Sequence, residues 1–248
     1  MHRERVTEPQ PSHHARKYEI ILFFVAIVKV FKQKTDKKQR LSLSPLTRRF
    51  MPTSALVRPL ILASTSPYRR ALLERLHLPF TPRAPRVDEA ALPNECPADT
   101  ALRLAVAKAR AAVIAGNPEL IIGSDQVADL NGEALGKPGD HRHAALQLRA
   151  MRGQSVVFHT ALCLLDAASG RYQLENVPST VRFRDLSDAQ IETYLQREQP
   201  YDCAGSAKIE ALGVALILGI DSSDPTALIG LPLMTLVSML KREQIEVI

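Results

Sequence analysis

The stretch LILASTSPYRR, residues 60–70, decides how the first part of the fold is built. Residues 60–62 form an apolar run of the length of a buried strand. Ser66 followed by Pro67 is typical of a helix N-cap and the first helical position. Arg69 lies in the first turn, where its charge opposes the helix dipole. A strand, a hydroxyl-rich turn and a helix start predict either an anion-binding site or an ordinary capped helix with solvated arginines.

Outward from this stretch, short apolar strands alternate with helical patterns. The candidate strands are residues 80–84, 120–130, 155–166, 171–184 and 214–220. The candidate helices are residues 97–115, 141–152 and 187–197, with a last helical region that runs from Asp224 to about Glu243. Asn131 followed by Gly132 indicates a tight hairpin. The alternation predicts an α/β fold with a mixed sheet.

Charge is spread unevenly along the chain. The net charge is +6, but residues 1–50 contain 12 Lys+Arg against 4 Asp+Glu, so the remainder is slightly acidic. Because the basic charge is confined to the N-terminal part, it gives only weak support for a nucleic-acid partner, and we expect no such partner. Cys96, Cys163 and Cys203 are widely spaced and odd in number, which indicates free thiols in a reducing compartment and hence a cytoplasmic protein.

The N-terminal part differs in composition from the rest. Residues 20–28 are an apolar run of nine, ended by Lys29, whereas a membrane span needs about 20 apolar residues. We therefore expect residues 1–55 to be a poorly structured basic extension and residues 56–248 to be the folded domain. A membrane-surface anchor formed by the basic and aromatic residues is the functional alternative, although membrane association is not favoured.

A polar segment interrupts the strongest strand. Gly123 to Gln126 lie inside an otherwise apolar run, and such local conflicts concentrate at functional sites. Asp125 and Gln126 should point to opposite faces of a regular strand, and a bulge or bend, which Gly123 would permit, is one way to bring both into one site. On the helix at 97–115, Lys108 lies on the small-residue face, where it either snorkels or reaches into a cleft.

Four segments together resemble the Maf family of nucleotide pyrophosphatases. They are Leu-Ala-Ser-Thr-Ser-Pro-Tyr-Arg-Arg from Leu62, Val-Asp-Glu from Val87, Gly-Ser-Asp-Gln-Val from Gly123 with the later Gly-Lys-Pro, and Ala-Gly-Ser-Ala-Lys-Ile-Glu from Ala204. Each segment is a weak signal alone, but their order and spacing also fit over roughly residues 59–245. The resemblance implies an elongated α/β fold like that of Maf and inosine triphosphatase proteins, with a mixed sheet, flanking helices and a central cleft. It also implies a homodimer.

The resemblance further implies hydrolysis of a nucleoside triphosphate between its α- and β-phosphates. A divalent cation, Mg²⁺ or Mn²⁺, would assist, since hard oxygen ligands suit both metals. Asp125 would be the proton acceptor, and Glu89 would bind the metal, with Asp125 sharing it. The phosphates would be held by Ser64, Arg69, Lys108, Lys137 and Lys208. From the residues alone, Asp125 could instead be a buried hydrogen-bonding carboxylate and the lysines could be solvated.

Three residues resemble the subgroup that acts on 7-methyl-GTP, a house-cleaning activity on a modified nucleotide. They are Tyr68, Gln126 and Glu210; the subgroup that acts on dTTP and UTP has arginine and threonine at the first two positions. The methylated base carries a delocalised positive charge, which an aromatic face and a carboxylate would both attract. The alternatives are a dTTP/UTP pyrophosphatase, a nucleotide-binding regulator of cell division that does not hydrolyse, and a membrane-associated scaffold.

Overall fold

The computed structural model describes residues 58–248, in which seven strands, five α-helices and three short 3₁₀ helices are present. The strands are β1 Leu60–Ala63, β2 Phe80–Pro82, β3 Leu120–Leu130, β4 Glu133–Leu135, β5 Ser155–Asp166, β6 Tyr172–Phe183 and β7 Ile217–Ser222. The α-helices are α1 Pro67–Glu74, α2 Pro97–Ala111, α3 His141–Met151, α4 Asp188–Glu198 and α5 Leu233–Arg242. The 3₁₀ helices are Ala204–Ser206, Leu212–Leu216 and Ala227–Ile229. The predicted extension at residues 1–55 lies outside this described range.

All seven strands form one mixed sheet, which confirms the predicted fold class. The strand order is β2-β1-β3-β5-β6-β7, and β4 pairs with the far end of β3. β1 runs parallel to β2 and β3, whereas the β3–β5, β5–β6 and β6–β7 pairs are antiparallel. Short connections join two antiparallel pairs, β3–β4 and β5–β6. In the first of these connections Asn131 and Gly132 both have positive φ, as a two-residue hairpin requires.

One edge of β3 is only partly paired. β1 covers residues 120–123 of β3, and β4 covers residues 128–130. On its other edge β3 pairs without interruption with β5. Between the two covered parts, residues 124–127 therefore face an opening in the sheet, and this opening holds the polar segment of the strand.

Helices pack on both faces of the sheet. On one face, the apolar sides of α1 and α5 bury leucines of β1, β3 and β5. On the other face, α2 contributes Ala101, Ala105 and Ala109, all fully buried against β1, β3 and β5. Towards the far half of the sheet, α3 and α4 build a separate core around Phe158 and Phe183. Apolar burial of this kind stabilises a fold by roughly 25 cal/mol per Å².

Three element boundaries differ from the predictions. The second strand ends at Pro82 and α2 ends at Ala111, several residues earlier than expected. Val113 and Ile114, which follow α2, are exposed and β-branched, so neither burial nor helix propensity extends the helix. The segment predicted as the last buried strand instead begins as the 3₁₀ helix Leu212–Leu216, and β7 is partly exposed because it is an edge strand.

No helix in residues 58–248 is both long enough and apolar enough to cross a membrane.

Candidate functional site

The opening beside β3 is part of a cleft of about 650 Å³. Its walls come from the β1–α1 turn, the loop before α2, the β3 opening, the loop after β4 and the segments around residues 203 and 230. Eight of the ten predicted site residues line it: Ser64, Tyr68, Arg69, Glu89, Lys108, Asp125, Gln126 and Lys137. Lys208 and Glu210 do not line it, and Lys208 lies beside Tyr68, as described below.

The centre of the cleft depends on a close approach between α2 and β3. A Cβ atom at Gly123 would lie 2.2 Å from the carbonyl oxygen of Ala105 and 2.7 Å from the amide nitrogen of Ala109. Only glycine permits this spacing, because no side chain separates the strand from the helix backbone. One turn along α2, Lys108 is 6% exposed, and its Nζ lies 2.6 Å from Oδ1 of Asp125. Lys108, on the small-residue face of α2, therefore reaches Asp125 on β3.

A second carboxylate meets the same ammonium. Oε1 of Glu89, in the loop before α2, lies 2.6 Å from Nζ of Lys108, and Oε2 lies 3.8 Å from Nζ of Lys137. Burial opposes ionisation of Glu89. The hydrogen bond from Lys108 and the charges of Lys108, Lys137 and Arg69 outweigh that effect, so the pKa of Glu89 is below its usual value. Glu89 is therefore an anion in the cleft, with half of its side chain open to solvent.

Asp125 and Gln126 point to opposite faces of β3, as a regular strand requires. Asp125 faces α2, whereas Nε2 of Gln126 donates to Oγ1 of Thr160 at 2.9 Å and to the carbonyl of Ala227 at 3.0 Å. β3 has no bulge at Gly123, because the β3–β5 register is continuous from Leu120 to Asp129. Both residues reach the cleft because the unpaired edge at 124–127 opens it to both faces of the strand.

The β1–α1 turn forms the wall predicted to hold phosphate. Ser66 caps α1 by accepting a hydrogen bond from the amide of Arg69, and Oγ of Ser64 accepts one from the amide of Ser66. Burial lowers the pKa of the Arg69 guanidinium, an effect that the charges of Asp125 and Glu89 oppose. Nε of Arg69 donates to the carbonyl oxygen of Gly230 at 2.7 Å, which fixes the arginine in position.

The carbonyl of Gly230 is an anchor that sequence reasoning missed. It also accepts from Oγ of Ser124 at 3.0 Å, so one oxygen joins α1 to β3. Gly230 has a φ of +114°, and the loop around it is held by Asp224, which is 2% exposed and accepts from Thr226 and Met234. The glycine was visible only as an interruption in the last helical region.

Lys208 joins Tyr68 to a group of acidic residues. Nζ of Lys208 lies 5.6 Å from the centroid of the Tyr68 ring and 3.2 Å from Oε1 of Glu198. Burial, together with the charges of Glu198 and Asp202, raises the pKa of Glu210, although the charge of Lys208 opposes the shift. Burial raises the pKa of Tyr68, and the nearby charge of Asp202 adds to this shift while Lys208 opposes it. Neither Glu198 nor Asp202 was singled out from the sequence.

Glu89 and Asp125 are the two carboxylates at the centre of the cleft that could bind a divalent cation. Glu89 and Asp125 both contact Lys108, so their hard oxygen atoms lie on either side of one ammonium. In residues 58–248, no group of three or more His, Cys, Asp or Glu side chains is arranged to hold a metal. Two carboxylates match the way in which Mg²⁺ is usually bound, with waters and substrate phosphates as its other ligands.

Comparison with known proteins gives a consistent result. The family model for "Maf-like protein" matches residues 59–243. A 7-methyl-GTP pyrophosphatase of Thiobacillus denitrificans is 59% identical over 189 residues, which is 76% of this chain and 94% of the relative. Proteins of the same name from Methylobacillus flagellatus and Aromatoleum aromaticum are 57% and 56% identical to this chain. The alignments include 99% and 95% of the lengths of these two relatives. The matched residues include the whole cleft, and the chain belongs to the Maf family.

Proposed function

We propose that this chain is a nucleoside triphosphate pyrophosphatase that converts 7-methyl-GTP to 7-methyl-GMP and pyrophosphate. The observation that carries the reaction type is the Lys108 ammonium held 2.6 Å from both Glu89 and Asp125, in a cleft that Arg69 and Lys137 also line. Two carboxylates can serve the metal ion and the proton transfer, and the neighbouring cations can bind the phosphates, so this arrangement suits the hydrolysis of a nucleoside triphosphate. The relatives named 7-methyl-GTP pyrophosphatase support the choice of substrate.

Asp125 is the proposed proton acceptor. Lys108 engages its Oδ1 atom, and a carboxylate has a second oxygen that can accept a proton from water. The water oxygen then attacks the α-phosphorus, the bond between this phosphorus and the α–β bridging oxygen breaks, and the bridging oxygen leaves as part of pyrophosphate. General-base assistance of this kind contributes typically ~10²–10⁴-fold to the rate. Because Asp125 is almost fully buried, its position relative to the substrate is fixed by β3 and α2 together.

Cations and hydroxyls of the cleft would bind the triphosphate. We assign Ser64, Arg69, Lys108 and Lys137 to this role, since all four line the cleft around Asp125. Glu89 and Asp125 would hold Mg²⁺ or Mn²⁺, which supplies charge neutralisation at the phosphoryl oxygens when bound. Arg69 is already oriented by the Gly230 carbonyl, so little side-chain entropy is lost when it meets a phosphate.

Tyr68 is the proposed platform for the base. Its aromatic face attracts a base with a delocalised positive charge by roughly 0.5–2 kcal/mol, and the nearby carboxylate of Asp202 adds to this attraction. dTTP and UTP carry neutral bases, so they do not gain this attraction. Gln126 lines the cleft, and its amide nitrogen donates to Thr160 and to two backbone carbonyls, so its side chain is held in one orientation.

The proposal is tested with a panel of nucleotides. The purified protein is incubated with Mg²⁺ and 7-methyl-GTP, GTP, dTTP or UTP, and pyrophosphate is measured by a coupled pyrophosphatase. We expect the highest kcat/KM for 7-methyl-GTP and a loss of that preference in Tyr68→Ala. Equal kcat/KM for 7-methyl-GTP and dTTP would overturn the substrate assignment, and no hydrolysis with tight nucleotide binding would instead favour a binding regulator.

The location of the protein is a further part of the proposal. Cys96, Cys163 and Cys203 are free thiols, of which Cys163 is buried. Free thiols are typical of a reducing compartment, and this supports the cytoplasm, where nucleotide pools are found.

A further inference from the structure

We propose that Lys208 recognises the 6-oxo group of the purine base and that Glu198 positions it for this contact. The inference rests on the proposed function, because it requires a guanine-type base beside Tyr68. It gives Lys208 a role in base selection in place of the phosphate contact that the sequence suggested.

The position of Lys208 carries the inference. Its ammonium lies within 6 Å of the Tyr68 ring centroid, in the range of a cation–π contact. It is paired with Glu198, and its side chain is 26% exposed, so it is accessible beside the ring. Lys208 does not line the cleft around Asp125, whereas Lys108 and Lys137 both line it. A base that reaches Tyr68 therefore meets Lys208, whereas a triphosphate beside Asp125 meets the other two lysines.

Glu198 and Tyr194 hold the backbone of this loop, and Glu198 also pairs with the Lys208 ammonium. Oε2 of Glu198 accepts from the amide of Leu212 at 3.0 Å, and the hydroxyl of Tyr194 accepts from the amide of Lys208 at 3.0 Å. The carbonyl of Lys208 accepts from the amide of Gly213 at 3.0 Å. A Cβ atom at Gly213 would lie 2.5 Å from that carbonyl oxygen, so this turn requires glycine. Only the flexible stem of Lys208 has to move to reach a base edge.

The chemistry of the two side chains matches a guanine edge. Guanine presents the O6 acceptor next to the N1–H and N2–H donors, and the common partner of O6 is a lysine or arginine. Lys208 supplies only donors and Glu210, two residues later, supplies acceptors when ionised. Methylation at N7 removes the neighbouring acceptor, so O6 becomes the one acceptor on that side of the base. Adenine has an amino donor in place of O6, and an ammonium disfavours it.

The test compares GTP with 2-aminopurine riboside triphosphate, which lacks the 6-oxo group but keeps the 2-amino group. In the wild-type protein we expect GTP to have the higher kcat/KM. Lys208→Met keeps most of the stem and removes the charge, and it should reduce this ratio by about 10–100-fold, the range for one hydrogen bond to a charged group. Lys208→Arg should restore part of the ratio. Glu198→Gln should also lower the ratio, because the ammonium loses its ionic partner.

Lys137→Met is the matched control, since it removes a lysine from the proposed phosphate wall. It should lower kcat/KM for both nucleotides by the same factor and leave the ratio unchanged. An equal loss on both nucleotides in Lys208→Met would overturn the inference and return Lys208 to the phosphates. If Lys208→Met fails to fold, Lys208→Gln provides the same comparison. Wild-type protein that does not hydrolyse 7-methyl-GTP at all would instead contradict the proposed function.

Discussion

Gly123→Ala tests whether the contact between α2 and β3 sets the catalytic geometry. The added Cβ would lie 2.2 Å from the Ala105 carbonyl oxygen, about 1.2 Å short of the 3.4 Å at which ordinary contact begins. The obstructing atoms are backbone atoms of α2, so the whole helix must move. Overpacking of a core costs about 1–3 kcal/mol, and we expect the upper end here. For a domain of this size, a loss of ~3 kcal/mol lowers Tm by roughly 6–12 °C.

The same shift should reduce activity beyond the loss of stability. Lys108 follows Ala105 by one turn, so moving α2 withdraws its ammonium from Asp125 and Glu89, each now 2.6 Å away. A misplacement of about 1 Å at a catalytic group can cost ~10²-fold in rate. The assay is kcat on 7-methyl-GTP at a temperature where the variant is fully folded, with Tm from circular dichroism.

Gly136→Ala is the control for stability, because a Cβ at Gly136 would have no atom within 4 Å. Its Tm should stay within about 2 °C of the wild-type value, as expected for a substitution that disturbs no packing. Gly123→Ala with wild-type Tm and wild-type kcat would refute the reasoning that this close approach positions Lys108.

Four further outcomes are expected. Asp125→Asn should fold normally but lose ~10²–10⁴-fold in kcat, and near-wild-type turnover of the folded variant would contradict its role as the base. Glu89→Gln should raise the Mg²⁺ concentration needed for half-maximal rate; an unchanged titration would count against Glu89 as a ligand. Because burial raises the pKa of Glu210, its carboxylate is lost as the pH falls through that raised value. The preference for 7-methyl-GTP over GTP should therefore decline in mild acid, and Glu210→Gln should show no such decline. A chain that starts at Met51 should keep full activity and Tm, whereas aggregation would place residues 1–50 within the fold.

The local elements could be predicted from the sequence because their signals are local. The Ser66 cap before Pro67, the positive-φ turn at Asn131 and Gly132, and the periodicity of α2 each depend on residues within a few positions. Lys108 was placed on the buried face of α2 by helical periodicity alone, and it is buried there. The resemblance in four segments was enough to predict the family, which the comparisons confirm.

The relation between distant segments was decided only by the tertiary structure. No local pattern shows that β1 stops at Ala63 while β4 begins to pair at Ala128, which leaves the β3 edge open between them. That opening, without any bulge at Gly123, lets Asp125 and Gln126 share a cleft from opposite faces of one strand. The Gly230 carbonyl joins Arg69 to Ser124 across more than a hundred residues of chain. Such contacts depend on how helices and strands pack, which sequence periodicity does not encode, and they position the side chains that the motifs supply.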